Sequence, residues 1–381
     1  MAVGDSGNAS FTIEGVDGSR WYIHGPGSDR EPVFLEKSSV GELYDAPVAT
    51  HYKARVGQPG SMYQGHRYLE RHITLTLATC GDTPLEWAQV DSSLRRAFSY
   101  EDYTVIRCTT ELSGSRALKV RLESEPEYKE EQDPHFLMTG RWVFKLIADD
   151  PFWEGEEYRD TFEFDGTNWA GGGVMVHNPG DVYVWPKWVL TSPAKFVLPD
   201  SSYRDDADKD RLILLPTQNA GTDLLVDTDP VEEMVTAVDG NGGSPLVWAQ
   251  MNGQFFMNPI PPHTSMTLAP VQIDPLPTLN LILPDTWRLW IIQEIGRWAR
   301  SLGRTAVARK TADDVAQEVR RIVTSDAPAW VGEKPGWIFN KLTALIIASE
   351  IRKNWSKVSG LVGATAQVRL RFRWSRPWGM E

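Results

Sequence analysis

Apolar positions in the first 148 residues recur mostly at every second residue, in short runs. SFTIEG, RWYIHG and PVFLEK are parted by DGS and GPGSDRE, whose glycine, proline and aspartate favour turns. RHITLTLAT sets Ile73, Leu75 and Leu77 on one face of a strand. DYTVIRCTTEL and ALKVRLESEPEY follow as an antiparallel pair joined at Ser113-Gly114-Ser115. In TGRWVFKLIADDPFW, Trp142, Phe144 and Leu146 alternate with Val143, Lys145 and Ile147, as in a well-buried strand, and Asp150-Pro151 breaks it. The period changes once. After Thr83, Trp87, Val90, Leu94 and Phe98 form a helical stripe, and Glu86 stands three residues on from Thr83 as in a capping box. One helix laid on antiparallel strands is an α+β layout. Residues 37–71, with GQPGSMYQG at their centre, show little sustained period and read as a long loop or arm.

From about Glu156 to Asp274 the pattern is mainly β: FEFDG, GGVMVHN, DVYVWPKWVLTS, KFVLP, LILLP, DLLVD, LVWAQ, GQFFMNPIPP and SMTLAPVQI, at the turn spacing of a β-sandwich. Asn178-Pro179-Gly180 reads as a turn with Gly180 free to take positive φ, and Asn252-Gly253 as a hairpin turn between Leu246–Met251 and Gln254–Met257. Three amphipathic helices come next. The first carries Trp287, Ile291, Ile295 and Trp298, the second Val315, Val319, Ile322 and Val323 behind a Thr311 cap, and the third Ile338, Leu342, Leu345 and Ile346 after Pro335. Beyond Gly363 alternation resumes, with Val368, Leu370, Phe372 and Trp374 on one side and Arg369, Arg371 and Arg373 on the other.

A length of 381 residues predicts two or three domains. Sixteen tryptophans lean toward an assembly protein, since tryptophan is favoured where protein surfaces meet. The N-terminus lacks the charged and apolar regions of a signal peptide, and no apolar run reaches the roughly 20 residues of a membrane span, so a soluble chain made in a cytoplasm is expected. Cys80 and Cys108 offer no disulfide framework and are expected to be free thiols. The net charge of −12 is uneven: Pro284 to the end carries +8 and the residues before it −20. Nucleic acid is an unfavoured partner for the terminal VRLRFRWSRPWGM, because Phe372 and Trp374 fall opposite the arginines instead of beside them.

Local chemistry is sparse. The seven histidines form no HExxH, and GxSxG, GxGxxG and GxxxxGK[ST] are absent. DADKDR offers Asp206, Asp208 and Asp210 as a weak calcium candidate, but Arg211 stands where the calcium loop wants glycine and Thr217 where it wants glutamate. No catalytic group, cofactor or other metal site is expected.

ADDPFWEG, HNPGDVYVWPKWVL, MNGQFFMNPIPPHT and the closing RFRWSRPWG, in that order, resemble the distal tail protein family of long-tailed non-contractile phages, most of all the branch found in phages of actinobacteria. The resemblance implies an N-terminal belt domain (1–155) and a galectin-like β-sandwich (156–283 with 364–381); the family's plain form lacks the helical segment 284–363, which reads as an insertion. It further implies a homo-hexameric ring in the virion tail, assembled in the host cytoplasm, that joins the tail tube protein to tail tip or baseplate hub proteins. A closed ring needs two different surfaces of one chain to meet, and oppositely charged parts suit that. Trp374, Arg376 and Trp378 are the expected interface residues. A carbohydrate-binding module that aids adsorption is the alternative, to be supported by an exposed tryptophan platform. A cell-wall hydrolase ranks lower.

Overall fold

The computed structural model describes residues 9–36, 41–57, 59–130, 132–164, 173–191, 195–202, 211–216, 222–238, 245–251, 253–269, 271–273, 287, 290–291, 293–294, 297–298, 312–325, 328 and 364–380. The chain divides into two compact units. The first takes Met1–Glu156, Pro179–Val182 and Arg371–Glu381, and the second Glu157–Asn178 and Tyr183–Leu370. Both are dominated by antiparallel strands, and the fold is mostly β with few helices.

The elements of the first unit are β1 (Ser10–Glu14), β2 (Arg20–His24), β3 (Val33–Leu35), β4 (Val48–Ala54), β5 (Ser61–Tyr68), β6 (Arg71–Cys80), α1 (Pro84–Arg96), β7 (Thr104–Thr110), β8 (Gly114–Leu122), β9 (Glu127–Tyr128), α2 (Pro134–Leu137), β10 (Thr139–Ala148) and the start of β11 (Trp153–Glu163). Strands β6 and β10 pair along their whole length, from Thr139↔Cys80 to Ala148↔Arg71. β7 and β8 form the hairpin expected at Ser113–Ser115, and β1 lies between β2 and β7. Ile73, Leu75, Leu77, Phe144 and Leu146 are buried in one core with Leu94 and Phe98. Helix α1 starts as its sequence dictates: the Glu86 amide donates to Thr83 Oγ1 at 3.1 Å. The Glu86 carboxylate reaches back to the Asp82 amide, one residue before the cap. Asp91 accepts from Thr79 and Trp142, fixing the helix to the strands beneath.

Within the long loop or arm expected over 37–71, residues 48–68 form a paired hairpin. β4 and β5 pair from Val48↔Tyr68 to Ala54↔Ser61, with one irregularity at His51/Tyr52. Fifteen residues make up the two strands, and none is buried. A strand buried on neither face carries no hydrophobic alternation, which is why its sequence looks patternless.

The second unit continues β11 and holds β12 (Val174–Asn178), β13 (Lys187–Leu190), β14 (Lys195–Pro199), β15 (Leu212–Leu214), β16 (Asp223–Asp227), β17 (Val235–Val238), β18 (Thr264–Leu268), β19 (Val271–Ile273), α3 (Ala312–Thr324) and most of β20 (Thr365–Trp374). β20, β13, β16 and β17 run in that order as an antiparallel sheet. β15–β14–β19 and β12–β18 form two smaller ones. Strand β17 lies in MVTAVDG, where no strand was expected. Helix α3 buries Val315, Val319, Ile322 and Val323, the stripe read from the sequence, and Trp287 packs edge-on against Trp290 at 5.2 Å. The third expected helix lies outside the described residues.

Two local expectations are corrected. LVWAQ is not a strand: Pro245–Met251 is a 3-10 helix, and Gln254–Met257 is not a strand either. The buried Asp200 carboxylate accepts the amides of Met257 and Asn258, so those donors serve an aspartate instead of a ladder. Gly180 does not take positive φ. Its glycine is required by close approach, since a Cβ there would lie 2.2 Å from the Arg373 carbonyl oxygen.

Candidate assembly site

The C-terminal segment is clamped into the first unit by two buried arginines. Arg71 is 1% exposed, and its guanidinium donates to the carbonyls of Glu42, Tyr44, Pro151 and Ser375. Burial lowers its pKa to about 10, with Asp45 acting in the opposite direction. Arg116, also 1% exposed, lies 4.1 Å over the Trp374 ring and donates to the carbonyls of Arg376 and Gly379. The planar five-donor fork of arginine suits such multiple capture. Asp181 accepts the Ser375 amide at 2.8 Å.

The expected interface residues fall as follows. Trp374 is buried against Gly155, where a Cβ would meet its ring at 2.7 Å. Trp378 packs edge-on against Tyr44 at 4.8 Å and near Phe11 at 6.2 Å. Arg376 is half exposed and paired with Asp45. The structure brings the three together along one strap inside the chain. Sequence reasoning passed over Arg71 and Arg116. The signal was parity: Arg71 shares a face with Ile73, Leu75 and Leu77, and Arg116 with Leu118, Val120 and Leu122.

The β4–β5 hairpin of the first unit is exposed along both of its strands. Tyr52 is 59% exposed, and Met62 and Tyr63 follow at 51% each. Residues 48–68 contain Lys53, Arg55 and Arg67 and no Asp or Glu. None of those three cations has an ion-pair partner among the described residues. A two-stranded hairpin is marginal by itself in water.

In the second unit, Trp248, Phe255 and Phe256 line a cleft of about 460 Å³ with Asp229, Glu232 and Glu233 at its edge. Trp248 is 60% exposed. Asp206, Asp208 and Asp210 lie outside the described residues, and no metal-holding cluster of His, Cys, Asp and Glu occurs among the described ones. Cys80 and Cys108 are both free; burial pushes the Cys108 thiol up to about 12, so it is inert as a nucleophile. No described helix is long and apolar enough to cross a membrane.

The chain is similar to minor tail proteins of mycobacteriophages. It is 29% identical over 340 residues to minor tail protein Gp27 of Mycobacterium phage D29, an alignment spanning 73% of this chain and 97% of that protein. It is also 29% identical over 305 residues to Gp27 of Mycobacterium phage L5, spanning 66% and 88%. No family model matches. Among solved structures, SPP1 Dit (gp 19.1) aligns with a TM-score of 0.46 and 14% identity over 69% of this chain and 95% of that one. A chain of the phage P2 baseplate in its activated conformation aligns at 0.42 and 11%, over 70% and 96%.

Proposed function

We propose that this protein is a structural component of a phage tail, with a mechanical and not a catalytic role. The similarity that runs through 97% of the D29 minor tail protein carries this reading. Its finer form is a ring hub: six copies closing head to tail at the distal end of the tail, with the tube protein on one side and tip or baseplate proteins on the other. The belt would be 1–155, the sandwich 156–283 with 364–381, and the helical segment 284–363 a contact to a neighbour. What supports the ring is the uncovered hairpin, together with unlike net charges before and after Pro284. Electron microscopy of the purified protein, with its mass in solution, tests it. Six-fold rings uphold it. A monomer at every concentration, with or without tube protein, rejects the ring.

One observation favours a second reading. The Trp248 and Phe255 platform, 60% and 54% exposed beside Glu232 and Glu233, offers a stacking face and hydroxyl acceptors of the kind a sugar uses. A glycan array separates the readings, because binding lost in Trp248→Ala would establish an adsorption role and a blank array would remove it.

A further inference from the structure

We infer that the β4–β5 hairpin of one copy docks on the α1–α2 corner of the next copy, and that this pair of surfaces is the head-to-tail contact of the ring. The inference rests on the ring reading above and names the surfaces that make it. The two surfaces sit at opposite ends of the same strand. At the Arg71 end of β6, the Leu69 amide donates to Pro47 and closes the base of the hairpin. At the Cys80 end, the Gly81 amide donates to Met138 and Thr139 pairs with Cys80, so α1 begins beside α2. Ten residues of strand separate the ends by about 30 Å. Two unlike surfaces that far apart on one unit define a heterologous contact, the kind that closes into rings.

Their chemistry is complementary. The α1–α2 corner exposes Leu85 by 70% and Phe136 by 81%, an apolar patch that an isolated copy leaves in water. Around it stand Asp82, Glu86 and Asp133, all exposed. Among the described residues neither Asp82 nor Glu86 has an ion-pair partner, and Asp133 meets only His135. The hairpin offers the complement: Tyr52 and Tyr63, cross-strand neighbours on one face, for the apolar patch, and Lys53, Arg55 and Arg67 for the carboxylates. Apolar burial would hold such a contact, and the charges would set its register and exclude the hairpin–hairpin pairing.

The test is a charge exchange in the full chain. One variant carries Lys53→Glu, Arg55→Glu and Arg67→Glu. The other carries Asp82→Lys and Asp133→Lys, leaving Glu86 to its capping bond. Circular dichroism first checks that each folds, and wild type establishes assembly under the same conditions. Each variant alone should associate on the order of 100-fold more weakly than wild type. Mixed in equal amounts they should reassemble, because each reversed hairpin then meets a reversed corner in an alternating ring. A folded variant that assembles as well as wild type overturns the surfaces proposed, and so does a mixture that stays apart; the ring itself survives both results. A wild type that never assembles sinks the ring reading and the inference together.

Discussion

Arg71→Met removes one guanidinium and releases four backbone carbonyls at once. In the wild type those carbonyls, on Glu42, Tyr44, Pro151 and Ser375, come from three stretches of chain far apart in sequence. Two opposing terms decide the result. Burial lowers the Arg71 pKa to about 10, so keeping the charge inside costs about 3 kcal/mol at roughly 1.4 kcal/mol per unit. Methionine would be spared that cost. Against it, each buried carbonyl stranded without a donor costs about 1–3 kcal/mol, and four of them outweigh the relief. Allowing for water that reaches some of them, a net loss of about 3–5 kcal/mol is expected. Arg71→Lys keeps the charge but not the fork, and should lose about half as much. Below about pH 10 Arg71 is protonated in both folded and unfolded chains, so the loss should not vary with pH near neutrality. Urea titration of the first unit reads the loss, and hydrogen exchange should show deprotection around Tyr44 and Ser375. A stability change under about 1 kcal/mol would falsify the clamp.

Three further outcomes are expected. Gly180→Ala pushes a Cβ to 2.2 Å from a backbone oxygen that cannot swing away, so it should cost about 2–4 kcal/mol; a neutral result in thermal unfolding would refute the close approach. Asp200→Ala should lower the stability of the second unit by about 2–3 kcal/mol by stranding the Met257 and Asn258 amides and the Arg211 guanidinium. Burial raises the Asp200 carboxyl above its ordinary 3.8, so it favours folding most when protonated: wild-type stability should fall as pH climbs through the folded value, and acid–base titration of the variant should lack that slope. Glu14 has the reverse sign. The Arg107 hydrogen bond holds its carboxyl below 4.5, so its contribution is present above that value and lost as pH falls. Glu14→Gln should therefore flatten the acid limb by no more than about 1 kcal/mol, the group being partly exposed; an unchanged limb counts against the pair.

The first unit was legible because its strands are buried on one face and exposed on the other, as β6 shows with Arg71, Ile73, Leu75, Leu77 and Thr79 all inward. The same rule hid the β4–β5 hairpin, which has no inward face to leave a pattern. Residues 245–257 failed for a different reason. Their apolar content resembles a strand, but Asp200, 57 residues before Met257, takes the amides, and no local window contains both partners. Asn178-Pro179-Gly180 was read as a turn in which glycine allows positive φ, whereas the need for glycine comes from Arg373, almost two hundred residues away. Of the strap residues, Trp374 could be placed by parity as buried, and Trp378 only as a residue that meets a neighbour. What they pack on could not be read, because Arg116 and Tyr44 reach them only through the fold.

Charge must be sorted by whether the chain has already used it. The terminal arginines that make the last segment basic are largely engaged within the chain: Arg371 with Glu154, Arg373 with Asp150, Arg376 with Asp45, and Arg369 with Glu157 at 3.9 Å. An arginine held by its own carboxylate has a weakened far field and offers a partner little. The basic, aromatic terminal segment therefore points inward, to strand closure and the clamp. Lys53, Arg55 and Arg67 are different, since among the described residues they stand with no such partner, on a hairpin with no acid of its own. If charge guides one copy to the next, this is where raised salt should act. Its screening at about 10 Å in 0.1 M salt would slow association, while the apolar contact of Tyr52 and Tyr63 keeps dissociation nearly unchanged. A salt series that altered only the dissociation rate would mean that the hairpin cations are buried in the contact instead of rimming it.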